Sequence, residues 1–494
     1  MAPFKRKLIS RGVILVLVIV LLIISGPLIF LAYQYAKDNP RLKYTTISGY
    51  IDDASHLNAT PVSEVTDPGS DSSKSLLIIA QLVKRASLTG KRISIGGARH
   101  SMGGHTISKN GIYLDMKPIN YMQLDTVENV LTVGAGALWS DIVPYLNQYG
   151  RSVAVMQTNN SFSVGGSISV NCHGWQPNVP PIAHTVVSVR VINSRGDIIE
   201  CSRDRNAELF SLVLGGYGLF GVVVDVKLKV VPNEMYTARQ YIINSDEYVK
   251  AFRELSSNAN VAMAYGRINV NPDNFLEEAI ISTFEKDTGN ISGTLQEGPY
   301  KRLRRTVFRA SANSDYGKNL RWKAEKIMVS LIRNKKFSRN QLLNESVEVF
   351  QNTDTSKTDI LHEYFIPGAS VSPFIDSLKK IIPCYNTDLL NITIRNVEKD
   401  TDTYLRYAST EMFGFVMLFN QSRTPEGEDD MKRLTQKLID IAISFKGTYY
   451  LPYRLHAPKE QFLKAYPQAD SFFVLKKKYD PLEIFQNTFY EKYK

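Results

Sequence analysis

Two short glycine-rich stretches constrain this chain more than any other feature of it. ISIGGARHSMGGH, from Ile93 to His105, sets four glycines behind a run of β-branched apolar residues, and NNSFSVGGSISVNCHGW, from Asn159 to Trp175, adds three among small hydroxyl side chains. Backbone that must come close to a ligand favours glycine, and successive N–H groups turned to one side form a cradle for an anion. Two such loops can clasp one large phosphate-bearing cofactor from both sides, although each taken alone also reads as a plain glycine-rich turn. Neither is a G-x-G-x-x-G opening a helix with an acidic residue downstream, so a Rossmann dinucleotide site is unsupported. His100 and His105 lack the two further Cys or His ligands that zinc would need, and no metal site is expected.

The remainder of the chain is consistent with a large globular enzyme. At 494 residues and 44% hydrophobic it can bury two or three cores. The net charge of +11 would suit nucleic acid, but the basic residues are scattered. The densest runs, Lys5 to Lys7, Lys301 to Arg305, Lys335 with Lys336 and Lys476 to Lys478, read as solvated surface, and no nucleic-acid partner is expected. Three cysteines, Cys172, Cys201 and Cys384, are too few and too far apart for a disulfide framework or a zinc cluster. Residues 13–33 are uncharged and mostly apolar behind Lys5, Arg6, Lys7 and Arg11, which predicts an uncleaved single-pass anchor. The basic flank predicts a cytoplasmic N-terminus with the catalytic body on the other side of the membrane.

Periodicity predicts a helix over residues 73–87 ending at Gly90, a strand over 91–95, a helix around 138–148, and a long strand closing ELFSLVLGGYGLFGVVVDVKLKVVP. Short strands with occasional helices make an α+β domain. Composition shifts near Asn233. The region beyond it mixes strands (MAYGRINV, HEYFIP, FGFVMLF) with helices (FIDSLKKII, MKRLTQKLIDIAISF), and its basic stretch from residue 300 to 336 reads as a surface excursion.

Five segments, GGARHSMGGHTISKNGIYLDM, LTVGAGALWSDIVPYL, SVGGSISVNCHGW, ELFSLVLGGYGLFGVVVDVKLKVVP and KKKYDPLEIFQNTFYEKY, resemble in order and spacing the FAD-binding oxidoreductases of the vanillyl-alcohol oxidase type, which carry a PCMH-type FAD domain. The resemblance covers roughly half the chain, with the nearest likeness to alditol oxidases and decaprenylphosphoryl ribose oxidases. It implies an α+β fold with a two-subdomain PCMH-type FAD-binding domain over residues 59–232 and a mixed α/β substrate (cap) domain over 233–446. A C-terminal segment, 447–494, would return to the flavin site; one transmembrane helix (1–36) and a linker (37–58) would precede the whole.

The implied cofactor is FAD, held by Gly96, Gly97, Ala98, Arg99, His100, Ser101 and Gly104 of the first loop, by Gly165, Gly166, Ser167, Asn171, His173 and Gly174 of the second, and by Gly221 and Val222. His100 matches the histidine that many members join covalently to the flavin; the alternative is a loop histidine that only hydrogen-bonds it. Arg99 stands where several relatives have glycine. His105 completes the loop, and Cys172 reads as a small packed residue. Glu363 in HEYFIP matches a Glu or Gln set against the flavin and is the first candidate for contact with a substrate hydroxyl, against an outward-facing strand position. Tyr453 stands near a catalytic lysine of the ribose oxidases, which leaves the base unassigned. Arg395 offers positive charge for the reduced ring or is a surface strand arginine. The expected reaction is oxidation of a CH–OH group of a sugar, alditol or lipid-linked sugar by hydride transfer to flavin, with oxygen or a quinone as acceptor. The alternatives are a nicotinamide-dependent C=C reductase of a lipid such as a sterol, and a membrane-tethered flavin-binding protein without turnover.

Overall fold

A computed structural model of the chain describes residues 13, 16, 25–38, 47–289, 295 and 301–494. The helix Ser72–Thr89 forms where the apolar spacing predicts it. Asp71 caps it by accepting from the Ser73 and Lys74 N–H groups, and Gly90 ends it at φ 65°. Its buried stripe is Ile79, Leu82, Val83 and Ala86. It leads into Ile93–Gly96, which pairs in parallel with Ile112–Asp115, itself parallel to Glu64–Thr66. The open edge of this small sheet is covered by the end of the chain: the Ile93 N–H donates to Ile484 O at 2.7 Å and the Gln486 N–H to Ile93 O at 3.0 Å.

A second sheet is antiparallel, in the order Ile198–Ser202, Val186–Ile192, Val222–Pro232, Val130–Gly134, Met122–Asp125, with Arg151–Val153 joined to the end of the long strand. The helix Val164–Ser169 lies between the two sheets' loops and carries the second glycine motif. The third sheet has eight antiparallel strands, among which Asp388–Val397, Met412–Ser422 and Lys357–Pro367 lie side by side. From Asp359 to Tyr364 the side chains alternate between the two faces. Tyr364 meets Phe374 of the helix Val371–Ile381, and His362 meets Thr435 of the helix Pro425–Ser444, whereas Glu363, Leu361 and Asp359 face the opposite way into a cavity. The architecture is thus a mixed α/β part that carries both glycine loops, followed by a second mixed α/β body whose sheet closes over them.

Three sequence-based expectations are corrected. Residues 14, 15 and 17–24 of the apolar stretch at 13–33 lie outside the described residues, and among the described residues no helix is long and apolar enough to cross a membrane. Among the described residues, 13, 16 and 25–37 are helical. The end of this helix is tied to protein: Arg302 donates to Asp38 O at 2.8 Å and Arg305 pairs with the Asp38 carboxylate at 2.6 Å. The lack of a long apolar helix among the described residues overturns the single-pass anchor with a non-cytoplasmic body.

The basic stretch from 300 to 336 is not a surface excursion either. It forms the helices Lys301–Arg309 and Asp315–Ile332, and three of its arginines are drawn inward: Arg305 by Asp38, Arg309 by Asp359 at 2.6 Å, Arg321 by Leu390 O at 2.9 Å. Lys476 likewise belongs to the interior, fully buried against Asp480. In each case a run of positive charge in the sequence conceals one member that turns toward a carboxylate.

Candidate active site

The first glycine loop leaves the strand Ile93–Gly96 and turns under the second. A Cβ on Gly97 would run into the Ser163 hydroxyl, and Gly104 sits at φ 70° with Thr488 directly above it, so both positions require glycine. Arg99 has φ 56°, the left-handed region that glycine adopts freely, which accounts for the departure noted at this position. The loop is held by Asp53, a buried carboxylate that accepts from the Gly104 N–H at 2.8 Å, Ser55 Oγ at 2.6 Å and Asn58 Nδ2 at 2.7 Å. Burial pushes the Asp53 carboxyl up, opposed by these donors. The sequence reading placed Asp53 in a featureless linker; the only local signal was the D-D-A-S run, a turn-forming pattern.

His100 donates from Nε2 to Ser161 O at 3.1 Å and stacks on Phe162 with ring centroids 4.1 Å apart. A carbonyl can only accept, so Nε2 carries the proton and Nδ1 keeps its lone pair. Burial lowers the His100 pKa and keeps the ring neutral. His105 has a different role: its ring packs between Tyr217 and Phe489, and burial pushes its pKa down to about 3.

A cavity of about 680 Å³ opens between the glycine loops and the third sheet. Ala98, Arg99, His100 and His173 line it from the loops, and Glu363, Arg395 and Tyr453 line it from the other side. Glu363 is 3% exposed and its Oε1 lies 2.6 Å from His173 Nε2. Its other oxygen accepts from the Tyr453 hydroxyl at 3.4 Å. Arg395, half-buried, bonds Thr158 Oγ1; burial works against its charge, while Glu363 and Tyr453 nearby favour it. Burial pushes the Tyr453 hydroxyl well above its usual range.

Glu363 and Arg395 are brought together by sheet register: Glu363 is opposite Val416, Val416 is opposite Thr393, and Arg395 follows two residues along the same face. The sequence alternatives of an outward Glu363 and a surface Arg395 are thereby removed.

Other expected residues lie behind the cavity wall. Ser167 Oγ accepts from Trp139 Nε1 at 2.9 Å, Asn171 joins Asp400 at 2.9 Å, Gly166 lies within the helix Val164–Ser169, Gly174 lies in the irregular backbone before Trp175, and Val222 pairs with Ile192 after Gly221. Gly165 and Gly96 sit where a Cβ would strike Ala135 and Tyr113.

These residues fit a large phosphate-bearing cofactor. Glycine allows close approach on both loops, and the N–H groups of Arg99, His100 and Ser101 have no acceptor among the described residues. The Ser101 hydroxyl is buried with no partner among the described residues. A family model described as an FAD binding domain matches residues 74–202, and one described as D-arabinono-1,4-lactone oxidase matches residues 226–493, more than half of the chain. The chain belongs to the D-arabinono-1,4-lactone oxidase family. Its cofactor is FAD.

The chain is 31% identical over 167 residues to L-galactono-1,4-lactone dehydrogenase, mitochondrial, of Arabidopsis thaliana, covering 32% of this chain and 27% of that protein. It is 30% identical over 124 residues to L-gulonolactone oxidase of Bos taurus, covering 25% of this chain and 28% of that one. With D-arabinono-1,4-lactone oxidase of Debaryomyces hansenii it shares 29% over 120 residues, 24% of this chain and 22% of the other. The chain therefore matches only about a quarter of the length of these curated relatives. At the level of the family, the resemblance to FAD oxidoreductases of the vanillyl-alcohol oxidase type is borne out.

A second polar network backs the site. Arg454 donates to Met102 O at 3.1 Å and Asn58 Oδ1 at 2.9 Å, and pairs with Glu428, which also meets His456 Nε2 at 2.9 Å. Burial raises the Glu428 carboxyl, but His456 and Arg454 outweigh it and bring it down to about 2 from the usual 4.5. A folded pKa below the unfolded one contributes stability that is present above about pH 4.5 and lost as pH falls toward 2, on the order of 3 kcal/mol here. Denaturant titrations between pH 6 and 2.5 are expected to show this acid loss in the native chain and to show it flattened in Glu428→Gln.

Proposed function

We propose that the protein oxidises a CH–OH group of a sugar-derived lactone, with electrons passing through FAD to oxygen or another acceptor. The observation that carries this reading is the meeting of Glu363, His173, Arg395 and Tyr453 in one cavity with the loop that bears His100. Bound FAD supplies the two-electron acceptor for the hydride leaving the substrate carbon. Glu363 takes the hydroxyl proton, with His173 holding one of its oxygens and Tyr453 the other, so the carboxylate is oriented before substrate arrives. Arg395 provides the positive charge that offsets charge developing on the acceptor side. The names of the relatives, lactone oxidases and dehydrogenases, support the substrate class.

The test is anaerobic mixing of the flavin-loaded protein with L-gulono-1,4-lactone, L-galactono-1,4-lactone and D-arabinono-1,4-lactone. Bleaching of the oxidised flavin band by at least one of them is expected, and a flavin left oxidised by all three would falsify the reading.

Nδ1 of His100, which has no hydrogen-bond partner among the described residues, supports a covalent link to the flavin. Wild-type protein is expected to keep its yellow flavin through acid denaturation. His100→Ala should release it while still binding FAD in the native state. Free flavin from denatured wild type would remove the covalent assignment.

A further inference from the structure

Met102, in the first glycine loop, is held on three sides. Its N–H donates to Pro452 O at 2.8 Å, and its carbonyl accepts from Arg454 Nη1 at 3.1 Å and Asn58 Nδ2 at 3.0 Å. The Met102 sulfur accepts from the Leu361 N–H at 3.3 Å. That donor lies on the edge of the strand Lys357–Pro367 which the short strand Thr448–Tyr449 leaves open, pairing as it does with Tyr364 and Phe365. His100 stands two residues before Met102, and Glu363 two residues after Leu361. Met102 is therefore the point at which the glycine loop meets the strand of the proposed base.

The turn from Pro452 to Arg454 serves both sides of that junction. Pro452 and Arg454 bond the main chain of Met102, and Tyr453 between them donates to Glu363. A Cβ on Gly103 would strike Tyr453 O, so loop and turn are in direct contact. The Arg454 guanidinium spans three elements at once: Met102 O in the loop, Asn58 Oδ1 at 2.9 Å in the N-terminal segment, and Glu428 of the helix Pro425–Ser444, reached from Nε at 3.1 Å. Glu428 also has His456 at 2.9 Å, so matching that carboxylate does not by itself account for the reach to Met102. A rigid planar fork holds a carbonyl, an amide and a carboxylate in fixed directions; an ammonium on a flexible stem does not.

We propose that Arg454 is a positioning residue for the oxidation: by fixing Met102 it sets the loop that bears His100 against the carboxylate of Glu363. The inference rests on the reading of Glu363 as the base and adds what keeps that base in register with the cofactor's loop. Arg454 stands outside the cavity lining, so its effect reaches the reaction through Met102 and Tyr453.

Arg454→Lys keeps a positive charge beside Glu428 and loses the fork. Anaerobic flavin reduction is measured with the lactone that reduces the native protein, as limiting rate per bound flavin and apparent Kd, with Arg454→Lys made in the native and the Glu363→Gln backgrounds. A misplacement of about 1 Å costs about 10²-fold, so a loss of at least about tenfold in limiting rate is expected in the native background. Where Glu363 is already replaced, the added loss should be under about twofold, because groups acting as one unit are not additive. A role in folding alone would lower the amount of flavin-loaded protein and leave the rate per flavin unchanged. Before substrate is added, the visible circular dichroism of the bound flavin is expected to differ between the native protein and Arg454→Lys. A rate per flavin close to native, an equal loss in both backgrounds, or superposable flavin spectra would each overturn the inference and leave the oxidase reading standing. If Arg454→Lys holds no flavin, Asn58→Ala takes its place with the same expected pattern, since it withdraws the other donor to Met102 O and leaves Arg454 on Glu428. If no lactone reduces the native flavin, the reading and the inference fall together.

Discussion

Glu363→Gln is expected to slow reduction of the flavin by substrate by about 10²- to 10⁴-fold, the usual contribution of a positioned general base. Glutamine is the same size and can still bond His173 and Tyr453, so the cavity should keep its shape and its FAD. What it loses is the capacity to accept a proton. The decisive comparison is stopped-flow reduction under anaerobic conditions with flavin content measured in parallel. A variant that retains FAD and reduces at a near-native rate would remove Glu363 as the base. His173 would then be the next group to substitute, because it stands 2.6 Å from the same carboxylate.

The largest effect on stability is expected at Lys476. Its ammonium is fully buried, pairs with Asp480 and stands over the rings of Phe485 and Tyr490 at 5.9 and 5.5 Å. Burial lowers the Lys476 pKa and Asp480 opposes that shift. Lys476→Met would leave the Asp480 carboxylate buried, with the Ile484 and Phe485 N–H groups at 3.0 and 2.9 Å as its donors among the described residues. Removing one member of a buried pair costs about 3–5 kcal/mol. An earlier denaturant transition is expected, together with weaker FAD retention, because Ile484 and Gln486 bond the strand from which the first glycine loop departs. Adding Asp480→Asn to Lys476→Met should recover part of the loss. No recovery would mean that the lysine acts through packing alone.

Much of the local structure was legible from residue order. The helix Ser72–Thr89 shows the cap, period and terminal glycine that its sequence predicts, and the long strand ending at Pro232 shows its apolar run. The glycine loops were legible for the same reason: glycine reports a demand on its own backbone, whatever the distant contacts are. The identity of the chemistry also came from short motifs in order, which is why the FAD family could be named before any geometry was known.

What the sequence could not disclose are the facts that depend on a partner far along the chain. Asp53 reads as a linker residue until it is seen holding Gly104. Arg305, Arg309 and Lys476 read as solvated charge until Asp38, Asp359 and Asp480 are found beside them. A charge carries no mark of its destination in the sequence; only folding decides whether it meets water or a carboxylate. The apolar stretch at residues 13–33 shows the converse, since hydropathy sets only a length, and the described helix 25–37, which includes its last residues, is tied at Asp38 to Arg302 and Arg305.

The same division holds at the candidate site. Glu363, Arg395 and Tyr453 were each singled out from sequence with an alternative left open, and none of them specifies the others. Sheet register set Glu363 and Arg395 on one face, and the return of the chain through residue 453 brought the tyrosine to the same carboxylate. Residue type determined what chemistry the chain has available; strand pairing decided where it is concentrated, because register alone fixes which face of a strand a side chain occupies.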